Sequence, residues 1–268
     1  MSSLLAESQL NQGNLPEALT SLQEQIRKDP SNAKLRAFLF QLLSVLGQWE
    51  RALTQLKVVG ELDASYLLMA QTYREAIMCE ALRAKVFAGT SSPLIFGDPQ
   101  QWVALLVEGL RLDAEGHHQE AKTLRDQSFE LAPATSGTIN GVSFQWIADG
   151  DSRLGPVLDA VVNGRYYWIP FQQILKIEIE EPADLRDVVW MPAQFTWANG
   201  GSSSGLIPTR YPGSENSKDS MIQLGRKTEW EEFFEGAYRG TGQRILTTDS
   251  EEYGIMDARQ IELNMKEE

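Results

Sequence analysis

The residues best suited to chemistry in this chain are two closely spaced aspartates followed by an arginine. Asp149 and Asp151 are separated by one glycine, and Arg153 follows two residues later. Paired carboxylates can act as acid and base in glycoside cleavage, or bind a divalent cation. A turn in which aspartates bond their own backbone produces the same spacing. Because no second acidic cluster stands at a diagnostic spacing, we predict a structural turn without a metal, and retain an acidic hydrolase or transferase site as the alternative.

The other reactive side chains are few. His117 and His118 are the only histidines and Cys79 is the only cysteine. Adjacent histidines rarely face one ligand, and no further histidine exists for a Ser-His-Asp or Cys-His arrangement. Cys79 lies in an apolar helical stretch, which favours a packed thiol over a nucleophile. The glycine-rich segment 240–244 lacks the Lys-Ser/Thr of a phosphate-binding loop. We therefore predict neither catalytic residues nor a cofactor.

Six arginines stand among aromatic residues and glycines in the second half of the chain. An arginine can form paired hydrogen bonds with a carboxylate and stack on an aromatic ring. These arginines either hold a small domain together, through aspartates such as Asp149, Asp151, Asp159 and Asp187, or form a recognition surface. We predict a structural role for most of them and a binding role for one or two. They are Arg153, Arg165, Arg186, Arg210, Arg226 and Arg244.

The charge balance excludes several classes of partner. The chain has 24 lysines and arginines against 37 aspartates and glutamates, a formal net charge of -13. Binding to nucleic acid or to an anionic membrane surface requires clustered positive charge, so neither is expected. No apolar run approaches the roughly 18 residues of a membrane-spanning helix. The first residues also lack the basic and apolar regions of a signal peptide, so we expect a cytoplasmic protein.

The elements that must position these residues begin with a helical repeat. Gly13 and Gly47 are 34 residues apart, and each starts a similar segment with an alanine five residues later; a third copy starts at Gly116. Pro30 and Pro133 each follow a turn glycine by 17 residues. This is the phase of a tetratricopeptide repeat, in which glycine occupies the turn between two paired helices. We predict tetratricopeptide-like helical hairpins over residues 1–135, with a degenerate third unit.

After residue 135 the pattern changes to short alternating strands. Segment 176–180 alternates strictly, and Asn163-Gly164 is a strong signal for a two-residue hairpin. Segment 199–205, rich in glycine and serine, is predicted to be a flexible loop tip. Many short strands at this spacing indicate a compact, strongly bent sheet or small barrel. The chain is therefore predicted to be α+β, with a small, mainly β domain over residues 136–268.

At these residues the chain resembles the ImpE/TagJ family of type VI secretion accessory proteins. The resemblance covers essentially the whole chain, to about residue 264, and its motifs occur in the expected order, although segment 199–205 and the charged tail 266–268 have no counterpart. The motifs are Phe144-x-Trp146-Ile147-x-Asp149-x-Asp151-Ser152-Arg153-Leu154-Gly155-Pro156, Asn163-Gly164-Arg165-Tyr166-x-Trp168-Ile169-Pro170-Phe171, Leu185-Arg186-Asp187-Val188-Val189-Trp190, Arg210-Tyr211-Pro212-Gly213-Ser214, Leu224-Gly225-Arg226-Lys227-Thr228-Glu229-Trp230 and Gly242-Gln243-Arg244.

The resemblance implies a non-enzymatic adaptor of a bacterial contractile injection machine. In that family the partner is the small subunit of the contractile sheath, bound through a helix near its N-terminus, with a link to the AAA+ ATPase that recycles contracted sheath. Composition and periodicity by themselves indicate only an acidic binding protein made of repeats and a β domain. An enzyme with an acidic site in the β domain remains the alternative from a different functional class.

The repeat phase also suggests where a partner helix binds. The first helices of successive units line the concave face of such a stack, and an amphipathic groove suits an amphipathic helix. Leu106 and Leu110 are either part of that face or core residues beneath the β domain. If they form the face, Leu106→Asp with Leu110→Asp abolishes sheath binding without altering the circular dichroism; unfolding would place them in the core. The predicted face comprises Lys34, Ala37, Gln41, Val45, Val103, Leu106 and Leu110, and if the β domain binds instead, the residues to test are Arg165, Trp168 and Arg210.

Overall fold

The computed structural model describes residues 3–98 and 100–264, and its first part consists of helical hairpins. Their turns lie at Gly13, Gly47 and Gly116, each with a positive φ that glycine adopts without steric cost. We call residues 3–131 the helical half. Its helices are α1 (Ser3–Asn11), α2 (Leu15–Lys28), α3 (Ala33–Val45), α4 (Trp49–Leu62), α5 (Leu67–Phe87), α6 (Gln101–Ala114) and α7 (His118–Leu131).

The small residues of the repeat lie where two helices touch. Ala18, Ala52 and Ala121 are fully buried. A Cβ atom on Gly109 would lie 3.3 Å from the Ala121 carbonyl oxygen, so a larger residue there would separate α6 from α7. The predicted repeat phase is confirmed, and the degenerate unit is the single long helix α5. No helix in the described ranges is long and apolar enough to cross a membrane.

The chain changes from helix to strand between Leu131 and Gly137. We call residues 137–264 the β half. The described strands of the chain, which form three sheets, are β1 (Leu94–Ile95), β2 (Gly137–Ile139), β3 (Val142–Phe144), β4 (Ile147–Asp149), β5 (Val157–Val162), β6 (Arg165–Pro170), β7 (Ile174–Ile179), β8 (Trp190–Trp197), β9 (Ser202–Pro208), β10 (Thr228–Phe234), β11 (Ala237–Gly242), β12 (Ile245–Thr248), β13 (Glu252–Gly254) and β14 (Gln260–Leu263). Strand β1, from the helical half, pairs in parallel with β6.

The strands that form these sheets are mostly short. A further helix, α8 (Ser220–Gln223), follows β9. Within the described residues, nine strands form one mixed sheet in the order β1-β6-β5-β9-β8-β7-β14-β2-β3, beside a hairpin of β10 and β11 and a three-stranded sheet β13-β12-β4.

Two local predictions have different outcomes. The hairpin is confirmed, because Asn163 and Gly164 join β5 to β6 with φ of 49° and 70°. The flexible loop over 199–205 is wrong in its second part, since β9 already begins at Ser202. Ser203 accepts a hydrogen bond from the Trp197 indole at 3.1 Å, so these serines are fixed to the neighbouring strand β8.

The large sheet separates two cores. Successive residues of a strand point to opposite faces. On β5, Val157 and Val161 join a core shared with α2, α3, α5 and α6, whereas Leu158, Ala160 and Val162 join a second core on the other face. The two halves therefore fold against each other around a common interior.

Two arginines of the β half bind the helical half at equivalent positions of successive repeats. Arg210 donates to the carbonyl of Val45 at 2.9 Å, and Arg226 donates to the carbonyl of Asn11 at 3.0 Å. Asn11 and Val45 are 34 residues apart, and each is the last residue of the first helix in its hairpin. Carbonyl groups at a helix C-terminus lack partners within the helix and attract cations. The β half thus recognises the repeat itself.

Candidate functional site

The motif residues that could do chemistry meet in a buried chain of alternating charges. Arg244, which precedes β12, donates from Nε and Nη2 to Oδ2 of Asp149, at 3.0 and 2.7 Å. Its Nη1 lies 2.6 Å from Oδ1 of Asp159 on β5. The side chains of all three residues are fully buried. We call these residues, with Arg83, the ionic chain.

Asp159 connects the ionic chain to the helical half. Its Oδ2 accepts a hydrogen bond from Nε of Arg83 on α5 at 2.6 Å, and another from the Tyr166 hydroxyl at 2.9 Å. The Tyr166 oxygen in turn accepts from the indole N–H of Trp168 at 2.9 Å. Arg83 also donates to the carbonyl of Arg210 at 3.0 Å. A buried charge is tolerated when it is paired and hydrogen-bonded. Asp159 Oδ2 accepts two hydrogen bonds, whereas its Oδ1 is compensated by the ion pair with Arg244 without a hydrogen bond.

The pKa values of the two carboxylates bound by Arg244 are shifted in opposite directions. Burial raises the pKa of Asp149 to about 6, although the Arg244 guanidinium opposes the shift. Burial also favours the neutral form of Asp159, but Arg244 and Arg83 together outweigh it and lower the pKa of that carboxyl below its usual value. The difference follows from one neighbouring cation in the first case and two in the second.

Asp151 forms the predicted turn. Its backbone N–H donates to Asp149 Oδ1 at 2.9 Å, and its own Oδ1 accepts from the Arg153 backbone at 2.9 Å and from Arg153 Nε at 2.8 Å. Its Oδ2 accepts from the Gly240 backbone at 3.0 Å. Both carboxylates are buried and engaged by arginine and backbone donors, an arrangement suited to positioning loops.

The arginines of the motifs differ in burial, and Arg153 and Arg186 are half-buried. Arg210 and Arg244 are buried and bind within the fold, whereas Arg165 is exposed at the start of β6. Arg186 pairs with Asp184 at 2.5 Å and lies over the Tyr73 ring. The structural interpretation fits Arg153, Arg186, Arg210 and Arg244.

His118 and Cys79 both have packing roles. His118 is the first residue of α7, as Leu15 is of α2 and Trp49 of α4, and its ring stacks on Phe234 at 5.6 Å. Cys79 is buried with its Sγ atom 3.5 Å from the Gly164 carbonyl oxygen, and burial raises the pKa of its thiol to about 11.

The predicted partner-binding residues lie mostly inside the protein. Leu106 and Leu110 are 2% and 5% exposed and share a core with Trp168. Of the two interpretations of these leucines, the core interpretation is therefore correct: they pack beneath the β half. The β half occupies the side of the repeats on which a partner helix was expected. Lys34 and Arg165 are exposed. Partner binding by any of the ten remains a prediction. The other buried members are Ala37, Gln41, Val45, Val103 and Arg210.

Sequence reasoning missed the contribution of α5. Arg83 and Glu80 both lie on its buried face, and Glu80 accepts a hydrogen bond from the Trp190 indole at 3.0 Å. Their spacing in the sequence could have revealed this. Arg83 and Glu80 lie at helical intervals of three or four residues from Ile77 and Tyr73, so all four residues share one face of the helix. Charged residues on the apolar stripe of a helix indicate buried partners elsewhere in the fold.

An open apolar groove lies where the two halves join, and sequence reasoning also missed it. It has a volume of about 410 Å³ and lies between the end of α7 and the β half. Phe129, Pro133, Trp146, Ile147 and Gly155 are among the residues that line it. We call it the junction groove. Trp146 belongs to a recognised motif, but its exposure could not be inferred from its position there.

Comparison with known proteins gives consistent matches in both halves. Residues 141–262 match the family model described as ImpE protein, and residues 5–73 match a tetratricopeptide repeat model. The type VI secretion system accessory component TagJ of Pseudomonas aeruginosa strain PAO1 is 52% identical over 259 residues, which cover 97% of this chain and 91% of that protein. A crystal structure of a Vibrio parahaemolyticus protein has a TM-score of 0.88 at 26% identity, covering 98% of each chain.

Proposed function

Because the chain belongs to the ImpE family of type VI secretion accessory components, we propose that it is a non-enzymatic adaptor that binds a helix of the small contractile-sheath subunit. We propose further that it acts in the cytoplasm and links this subunit to the AAA+ ATPase that recycles the sheath. The family membership and the tetratricopeptide-like fold support an adaptor role, since helical-hairpin stacks commonly bind other polypeptides.

One observation carries the proposal from the family to this chain. Asp149 and Asp151, on which a hydrolase or transferase site would depend, are buried and bonded to Arg244 and Arg153. By contrast, the junction groove is open and carries exposed aromatic side chains such as Trp146. Buried and neutralised acids with an open apolar surface suit the binding of a protein better than the turnover of a substrate.

The test is direct binding between purified full-length proteins. We expect this chain and the small sheath subunit to co-elute in size-exclusion chromatography and to give a measurable Kd by calorimetry. A sheath subunit that lacks its N-terminal helix is the control and should not bind. The proposed ATPase link is tested by adding the ATPase, which should join the complex. Absence of binding to the intact sheath subunit would overturn the adaptor proposal.

A further inference from the structure

Two partly exposed aromatic side chains line the junction groove. Phe129 and Trp146 are 40% and 39% exposed, and Trp230, which lies against the lining residue Gly150, is 41% exposed. Large aromatic residues bury much area with little loss of conformational freedom, and they dominate the energetics of protein interfaces. Their partial exposure on one surface identifies apolar anchors for which the chain itself provides incomplete cover.

Two glycines lie directly against two of these rings. A Cβ atom on Gly155 would lie 2.4 Å from Cε1 of Phe129, and one on Gly150 would lie 2.8 Å from Cη2 of Trp230. Any larger residue would displace the ring beside it. Trp230 also packs on Tyr211, with 5.4 Å between ring centroids. Phe129 and Trp230 therefore rest on the loop between β4 and β5. The defined position of Phe129, which lines the groove, lowers the entropic cost of binding there.

Two acidic residues neighbour the aromatic residues that line the groove, and their charge indicates the kind of ligand. Glu130 follows Phe129 on α7, and Asp249 accepts a hydrogen bond from the Gln145 backbone at 2.6 Å, next to Trp146. Among the described residues, neither carboxylate forms an ion pair with a lysine or arginine. None of the described groove-lining side chains is basic. An apolar surface beside uncompensated negative charge is complementary to a segment that carries both apolar and basic residues.

We propose that the junction groove binds the apolar face of a basic amphipathic helix, whose lysines or arginines lie over Glu130 and Asp249. This inference rests on the proposed function, since the helix is assigned to the small sheath subunit. A helix presents apolar side chains at intervals of three or four residues along one face, which suits a groove lined by separate rings. The partner helix therefore binds the surface formed by Phe129 and Trp146. It does not bind the concave face of the repeats, because the β half already covers that face.

The experiment measures fluorescence anisotropy of a labelled synthetic peptide, the N-terminal helix of the small sheath subunit, with the full-length chain. Trp146→Ala and Phe129→Ala are each expected to weaken binding by about tenfold or more. Met78→Ala is the matched control, because Met78 is 62% exposed on α5, away from the groove, and should leave the Kd unchanged. Glu130→Lys should weaken binding by about threefold and reduce its salt dependence, unlike Glu24→Lys on α2.

The outcomes separate this inference from the proposed function. If the wild-type chain binds the peptide and Trp146→Ala binds within about twofold of it, the groove assignment is wrong and the adaptor role stands. If the wild-type chain binds neither the peptide nor the intact subunit, both proposals fail. Should a groove variant lose its circular dichroism, a photo-crosslinker at the exposed Gln145 replaces it, with Glu24 as control position. Crosslinking to the helix from Gln145 supports the groove, and crosslinking from Glu24 alone contradicts it.

Discussion

In the helical half the largest fully buried side chains are apolar, among them Phe40, Leu42 and Leu43, whereas the β half encloses Arg244, Asp149 and Asp159 as well. Apolar packing is non-directional, so neighbouring side chains can partly compensate for a change. A buried ionic cluster requires every partner, because removal of one leaves an unpaired charge. The comparison teaches that the β half depends on a network of buried charges centred on Arg244, whereas most of the helical interior is apolar and its buried charges are few, such as Arg83 and the Arg125–Asp113 pair.

The largest expected effect is loss of folding when charges are introduced into the core that both halves share. Leu106→Asp with Leu110→Asp places two charges in a buried apolar environment, which costs several kcal/mol or more for an isolated charge. We expect loss of the helical circular dichroism signal, in contrast to the intact signal expected if the pair formed an open face. The control is Leu68→Asp with Met78→Asp, at exposed positions of α5, which should fold normally. A folded double variant would contradict the shared core.

The next largest effect is a loss of stability when a single buried residue of the β half is replaced. Arg244→Met removes the cation beside Asp149 and one of two beside Asp159, and we expect a loss of about 3–5 kcal/mol in the free energy of unfolding. Denaturation by urea measures it. Arg239→Met removes the exposed pair with Glu231 and should cost less than about 1 kcal/mol. Equal losses in both variants would show that burial does not distinguish the two pairs.

Overpacking the repeat contact should have a moderate effect. Ala52→Leu inserts three carbon atoms at a fully buried contact between helices, and we expect a loss of about 1–3 kcal/mol. The thermal midpoint reports it, with Ala84→Leu on the exposed side of α5 as the matched control. An unchanged midpoint for Ala52→Leu would mean that the repeat phase is wrong.

The pH dependence of stability distinguishes the two aspartates of the ionic chain, Asp149 and Asp159. The pKa of Asp149 is about 6 in the folded protein, above its ordinary value, so the folded state binds this proton more tightly than the unfolded state. The stabilisation from protonation is therefore present at low pH and is lost as the pH rises from about 4 to 6. Its slope is at most about 1.4 kcal/mol per pH unit, the value for one proton.

Asp149→Asn should remove this component from the curve of unfolding free energy against pH. The wild-type advantage over the variant should accordingly shrink between pH 4 and 6. Asp159→Asn is the comparison, because the pKa of Asp159 is lowered and its stabilisation is instead lost toward acid. Parallel pH curves for wild type and Asp149→Asn would contradict the raised pKa.

The smallest effect concerns the two arginines that bind successive repeats. Arg226 is exposed, so Arg226→Ala should cost about 1 kcal/mol or less, the usual net value of a hydrogen bond. Arg210 is buried, and Arg210→Ala should cost more because the Val45 carbonyl then lacks its donor in the interior. Thermal unfolding of both variants measures the difference, and a larger loss for Arg226→Ala would reverse the assignment of the stronger contact.

The sequence by itself determined the local elements of this protein. Glycines with a required positive φ and alanines at helix contacts define the repeat, and Asn163-Gly164 defines a hairpin, because these signals depend on the residue and its near neighbours. Asp151 and Arg153, which lie two residues apart, likewise formed the expected turn. The family motifs could be recognised for the same reason, because each is a short run of neighbouring residues.

Only the tertiary structure decided which surfaces remain open. Leu106 and Leu110 have the spacing of either a binding face or a core, and the β half settled the choice by packing beside them. Arg83 and Asp159 are 76 residues apart, and no local pattern specifies that they meet. The junction groove likewise combines Phe129 with Trp146 from different halves. Such contacts depend on how distant segments pack, and the free energy of that packing is not carried by any one segment of the sequence.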